Sequence, residues 1–242
     1  MRVLSPKVRF FDESMPVREV FRLASIGNDF QFGDFGLARK THAHFLSRIG
    51  HKVFDDIHRY RQAKGAQKQL LGRILLQMRS DHHFVGKNAP AGLQRACLFA
   101  FGPSISEDSY HIAYKDAAAA IGSYESFRIG MTVCGVKIRP RFGVFAPSRP
   151  LYCEMFERVL PSTLNSSRES ALEIGTGTGV LALLLAKQFR HVTATDVSHD
   201  ALACAADNFA LNGVESISLL KSDLFEAIPL TKFDCIVFNP PW

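Results

Sequence analysis

With 242 residues, the chain is long enough to bury a substantial core in one large domain or two modest ones. An apolar share of 47% and a charged share of 21% are ordinary for a globular protein, and the absence of any run of 18 apolar residues argues against a helical membrane span. Residues 1–150 carry a net charge of +11 and residues 151–242 a net −5, so the two parts are expected to be separate units.

The N-terminal stretch "MRVLSPKVRFFDESMPVREV" is charged throughout and has no apolar signal core, which predicts a cytoplasmic protein. Cys97, Cys134, Cys153, Cys204 and Cys235 are odd in number and widely spaced, with no C-x-x-C pair. Free thiols are expected, and neither a disulfide framework nor a metal site. The histidines, including adjacent His82 and His83, match no zinc spacing.

Residues 1–126 read as a mainly helical domain. "PVREVFRLASIG" places Val17, Val20, Phe21 and Ala24 at helical spacing, between Pro16 and Gly27. "THAHFLSRIG" and "VFDDIHRYRQAKG" predict short helices stopped by Gly50 and Gly65. "AQKQLLGRILLQMRSDHHF" predicts a helix with Leu70, Leu71, Ile74, Leu75 and Met78 on one face. "AGLQRACLFAFG" and "YKDAAAAIGSY" are further helices. Residues 127–168 change character. "FRIGMTVCGVKIRPRFGVFA" predicts strands with a turn at "RPRFG", "LYCEMFERVLP" a helix, and Pro161–Glu169 a polar connector.

From 169 to 242 the pattern is regular. "ALEIG", "HVTATDV", "SISLLKSDLF" and "FDCIVFNPPW" predict strands. "GVLALLLAKQF" and "SHDALACAADNFALNG" predict helices, with Ser198 as N-cap and Gly213 as the stop. The alternation predicts an α/β fold with a parallel, doubly wound sheet, whose ligands sit at the carboxyl ends of the strands.

Four motifs at those ends carry chemistry. "LEIGTGTGV" holds Gly175, Thr176, Gly177 and Gly179, a tight strand-to-helix turn that a ligand can approach closely. A nicotinamide or flavin fingerprint would need glycine where Val180 stands. Glu173, just before the loop, would repel a pyrophosphate but suits an ammonium group. Asp196, 21 residues past Gly175, is in register to accept from both hydroxyls of a ribose. Asp223 in "SDLF" could accept from an adenine amine, with Leu224 or Phe225 over the ring. In "NPPW", Asn239 offers a side-chain oxygen, Pro240 a free carbonyl and Trp242 a flat face, a set suited to a planar NH₂ group.

Together these motifs resemble the class I S-adenosylmethionine-dependent methyltransferases. The best match is the "small-domain" subgroup with an Asn-Pro-Pro-aromatic motif, which methylates planar nitrogens. The resemblance covers about residues 143–242, beginning with "FGVFAPSRPLY". It implies a Rossmann-like sheet with S-adenosylmethionine as cofactor. Glu173, Gly175, Thr176, Gly177 and Gly179 would hold its methionine end, Asp196 its ribose, and Asp223 and Leu224 its adenine. Asn239, Pro240 and Trp242 would be the catalytic set that orients the acceptor, and Asn239 would also touch the cofactor.

The family's sheet has seven strands and this sequence supplies about four, so the chain is expected to be a C-terminally truncated piece. "CIVF" would then be an exposed edge open to self-association.

Residues 39–95 hold 12 Lys/Arg against 3 Asp/Glu, interspersed with Phe45, Phe54, Tyr60 and Phe84. That composition favours nucleic acid as partner, RNA ahead of DNA, and N-methylation of a nucleobase as the reaction. A protein carboxamide methyltransferase would use the same motif, although the Arg- and Thr-Glu-containing segment usual in the release-factor enzymes is absent. A nicotinamide oxidoreductase and a non-catalytic binding remnant are further alternatives.

Overall fold

A computed structural model describes residues 8–50, 56–103, 108–147, 151–163 (main chain alone for 161–163) and 168–240. It divides into two compact units, Met1–Gly122 and Ser123–Trp242.

The first unit contains a four-stranded sheet: β1 (Val8–Phe10), β2 (Asp29–Phe32), β3 (Ile74–Arg79) and β4 (Ser109–Ala113), in that order. β1, β2 and β3 are parallel, and β4 runs antiparallel to β3. Five helices accompany it: α1 (Val17–Ser25), α2 (Phe35–Ile49), α3 (Ile57–Leu71), α4 (Leu93–Phe101) and α5 (Tyr114–Ile129), the unit boundary falling within α5. Helix is still the commoner element, but the sheet that organises the unit was not expected.

One face of this sheet presents Phe30, Phe32, Ile74, Leu76, Met78 and Ile112 to a core that includes Val20, Phe45 and Cys97 from the helices. The other face carries Leu75 and Ala113 beside a polar cluster. Gln31 links His111 (2.8 Å) to Gln77 (3.0 Å), and Gln77 donates to Ser109 (3.2 Å). His82 is a buried structural histidine whose ring nitrogens meet the Tyr110 hydroxyl and the Gly102 carbonyl.

The helix expected over "AQKQLLGRILLQMRSDHHF" is therefore a correction. α3 ends at Leu71, Gly72 caps it, and residues 74–79 form β3. Leu70, Ile74 and Met78 suit a helix face, but Ile74, Leu76 and Met78 equally suit one face of a strand, and sheet pairing decides. Gly65 likewise does not stop α3, which runs through it.

The second unit opens with a hairpin of β5 (Met131–Val133) and β6 (Val136–Ile138). Its turn is Cys134–Gly135, both with positive φ (49° and 78°), and the turn expected at "RPRFG" comes after the hairpin, where Val144 N–H donates to Arg141 O (3.2 Å). Such a two-residue turn matches the twist of the flanking strands. α6 (Leu151–Thr163) follows. Then come β7 (Ser170–Ile174), α7 (Val180–Ala186), β8 (His191–Asp196), α8 (His199–Leu211), β9 (Ile217–Lys221) and β10 (Cys235–Phe238). All four sheet strands are parallel, in the order β10-β7-β8-β9.

The strands from β7 to β9 advance in one direction, and β10 pairs on the other side of β7. That reversal is the switch point at which doubly wound sheets bind ligands. α7 is buried from Val180 to Leu185, because it lies among the sheet, α6 and the hairpin. β10 is an edge strand, with Ile236 and Phe238 exposed.

The stretch after β6 is held by a side-chain ladder on α8. Asn212 exchanges both hydrogen bonds with the main chain of Lys137 (2.8 and 2.7 Å). Asn208 accepts from Arg139 N–H (2.8 Å), and Cys204 accepts from Arg141 N–H (3.4 Å). Helical residues four apart thus serve residues two apart along β6 and the segment that continues it, because both spacings keep to one face.

Candidate active site

The glycine loop follows β7. Gly175, Gly177 and Gly179 all have positive φ (72°, 55° and 80°), which side-chain-bearing residues rarely adopt. At Gly179 space also demands glycine, since a Cβ there would lie 2.5 Å from Phe209 Cε1 and 3.1 Å from Ala205 Cβ. The loop is pinned on several sides. Thr176 N–H donates to Thr195 O (2.8 Å), Gly177 N–H to Asp196 Oδ2 (3.0 Å), and Asn208 Nδ2 to Thr178 O (2.9 Å).

Glu173 lies beneath the loop and is only 2% exposed. It accepts from the Thr176 hydroxyl at 2.7 Å. Burial pushes its carboxyl up to about 8, and nearby Asp196 adds to the rise. The Thr176 hydroxyl and the Ala182 N–H act in the opposite sense.

Asp196 ends β8, with Oδ1 accepting from Ser198 N–H (2.9 Å) and Oδ2 from Gly177 N–H. Beyond β9, Ser222 is buried. Its hydroxyl donates to Leu224 O (3.0 Å) and accepts from Ala227 N–H (3.0 Å), which shapes the turn that presents Asp223 and Leu224. Leu224 has a positive φ of 48°.

All of these residues surround one cavity of about 650 Å³. It takes in Glu173, the loop from Gly175 to Thr178, Asp196, Asp223, Leu224, Phe238, Asn239 and Pro240. Gly179 lies behind the wall, packed on α8. Of the two residues considered for covering an adenine ring, Leu224 lines the cavity, whereas Phe225 is exposed and does not. Trp242 lies outside the described residues. The sequence reading assigned no role to Phe145, Tyr152 or Ser222, which join the wall, or to Asn208 behind it. The one available signal was the segment 142–152, marked as a unit but not resolved into residues.

The family described as methyltransferase small domain matches residues 136–242. A release factor glutamine methyltransferase of Streptococcus pneumoniae is 39% identical over 140 residues, which is 56% of this chain and 46% of that protein. A ribosomal protein uL3 glutamine methyltransferase of Bordetella pertussis is 47% identical over 77 residues, 31% of this chain and 26% of that protein. The chain thus spans less than half the length of either relative. Among solved structures, an S-adenosylmethionine-dependent methyltransferase of Clostridium acetobutylicum aligns with a TM-score of 0.30 at 26% identity, over 35% of this chain and 33% of that one. Within the matched residues, the cavity at the switch point gathers every described residue assigned to cofactor or acceptor except Gly179.

No helix among the described residues is long and apolar enough to cross a membrane. No group of three or more His, Cys, Asp or Glu side chains among them could hold a metal ion.

Proposed function

We propose that the chain carries the cofactor pocket and acceptor edge of an S-adenosylmethionine-dependent N-methyltransferase, with a protein side-chain carboxamide as acceptor. The observation that carries this reading is that Asn239 and Pro240 line the same cavity as the glycine loop and Asp196.

The residues fit that cofactor. A cavity of about 650 Å³ has room for a nucleoside with an amino-acid arm. Each Asp196 oxygen accepts one main-chain N–H and keeps a further lone pair for a ribose hydroxyl. Glu173 is a buried acid whose proton affinity Asp196 raises further, and a ligand ammonium over the loop opposes that rise. Asp223 and Leu224 take the adenine.

When bound, the cofactor supplies a methyl group on a cationic sulfur, so the leaving group needs no acid from the protein. The chain's own task is to hold a planar NH₂. Asn239 Oδ1 accepts one of its N–H groups and the Pro240 carbonyl the other. That fixes the acceptor plane and draws electron density onto the nitrogen. Trp242 supplies the stacking face in this reading.

A nucleobase amine presents the same planar NH₂, and the basic stretch 39–95 suits RNA. The named substrates of the relatives, a release factor and a ribosomal protein, favour the carboxamide. Incubating the protein with methyl-labelled cofactor and cell extract separates the two. Label released by protease supports the carboxamide, and label released only by nuclease overturns it. Asn239→Ala is expected to lower transfer by about 100-fold, the scale of losing one oriented polar contact to the reacting group, with S-adenosylhomocysteine affinity kept within about threefold. Unchanged transfer would remove Asn239 from the acceptor role.

A further inference from the structure

α3 has no part in the function proposed above, and its construction asks for a ligand of its own. Its 15 residues include no Asp or Glu. Arg61, Lys64 and Lys68 fall within about 60° of one another at 100° per residue, and the stripe they form is about 10 Å long. All three are exposed, and among the described residues none forms an ion pair. Four other cations of the unit have an acidic partner: Arg22 has Glu19, Arg73 has Asp29, Lys87 has Glu13 and Lys115 has Asp116. Like charges at i,i+3 and i,i+4 weaken a helix, and this one retains both spacings with no acidic partner among the described residues.

Two further features sit beside the stripe. Tyr60 is 44% exposed, and the Lys64 ammonium lies 5.6 Å from its ring centroid, an aromatic face next to a cation. Gly65 is a poor helix residue, yet nothing lies within 4 Å of where its Cβ would stand, so packing does not explain it. A bare backbone there lets a ligand strand approach the helix.

We infer that this stripe is a docking surface for single-stranded RNA. A row of uncompensated cations suits a uniformly charged phosphate backbone, and an exposed tyrosine suits an unpaired base. Of the helix's large apolar side chains, only Ile57 and Tyr60 are prominently exposed, too few to insert into a bilayer. The surface stands independently of the methyl-transfer reading.

The test titrates the full chain with a labelled single-stranded RNA of about 12 nucleotides, within the site size of such binders, at 50 and 200 mM salt. The three cations are expected to contribute about 2 to the slope of log affinity against log salt, or about 20-fold between those salt concentrations. The variant Arg61→Gln/Lys64→Gln/Lys68→Gln loses that share of the slope and keeps its circular dichroism and S-adenosylhomocysteine affinity. A control of equal charge, Lys137→Gln/Arg190→Gln/Lys232→Gln, retains the slope. The inference is overturned if the wild type does not bind, if the α3 variant binds as the wild type does, or if the control loses as much. It is also overturned if anionic phospholipid vesicles or polyglutamate bind as tightly as the RNA.

Discussion

Replacing Glu173 by glutamine tests the central electrostatic feature of the pocket. In the folded protein burial raises this carboxyl from 4.5 to about 8. Below about pH 4.5 it is protonated in both folded and unfolded chains and contributes nothing to a stability difference. As pH rises from there toward 8, the unfolded chain gives up the proton and the folded chain keeps it. Each pH unit then costs folding about 1.4 kcal/mol, and the penalty is complete once pH exceeds the folded value. At pH 7 the accumulated cost is about 3 kcal/mol. Glutamine does not titrate and retains an oxygen for the Thr176 hydroxyl, which bonds Glu173 at 2.7 Å. Glu173→Gln is therefore expected to match the wild type near pH 5 and to exceed its stability by about 3 kcal/mol at pH 7. Urea denaturation at pH 5, 6, 7 and 8, read by hydrogen exchange of peptides from 170–211, isolates this unit. Parallel stability profiles for wild type and variant across that range would refute the reasoning.

Two other substitutions probe the frame behind the pocket. Gly179→Ala combines a φ of +80° with a Cβ only 2.5 Å from the Phe209 ring. It is expected to cost about 3 kcal/mol in chemical denaturation, the sum of left-handed strain and overpacking. Asn208→Leu strands the buried Thr178 carbonyl and the Arg139 N–H, at a cost of about 2–4 kcal/mol, and loosens the glycine loop. Asn212→Ala removes a more exposed rung that does not touch the loop, so its expected loss is smaller. Calorimetric titration with S-adenosylhomocysteine, made where both variants are folded, should weaken for Asn208→Leu alone.

The second unit was legible almost element by element. β7, β8 and β10 are short apolar runs closed by Gly175, Asp196 and Asn239, and α7 and α8 begin directly after Gly179 and Ser198. Asp196 could be placed because its distance from Gly175 is set by one strand-helix-strand unit. β3 was not legible, because Ile74–Met78 satisfies both periodicities and its pairing with β2 and β4 comes from residues more than 30 positions away. Asn208 escaped for a related reason. Its partner on the hairpin side is the main chain of Arg139, 69 residues earlier, and backbone groups leave no mark in a sequence. The turn expected at "RPRFG" is present, but the hairpin closes earlier, at Cys134–Gly135, where the positive φ falls on a cysteine, which seldom takes it.

Because α8 grips main-chain atoms at 137, 139 and 141, its hold on 137 and 139 does not depend on the side chains there, whereas Arg141 also pairs with Asp207 of α8 through its guanidinium. Substitution at 137 and 139 should drift freely, with one exception: proline, which has no N–H to offer. Pro140 stands between two gripped residues, at a position where no rung asks for a donor. An alignment of close relatives should therefore admit proline at the intervening positions and exclude it from 137, 139 and 141, so the ladder would be visible as a pattern of where proline is missing.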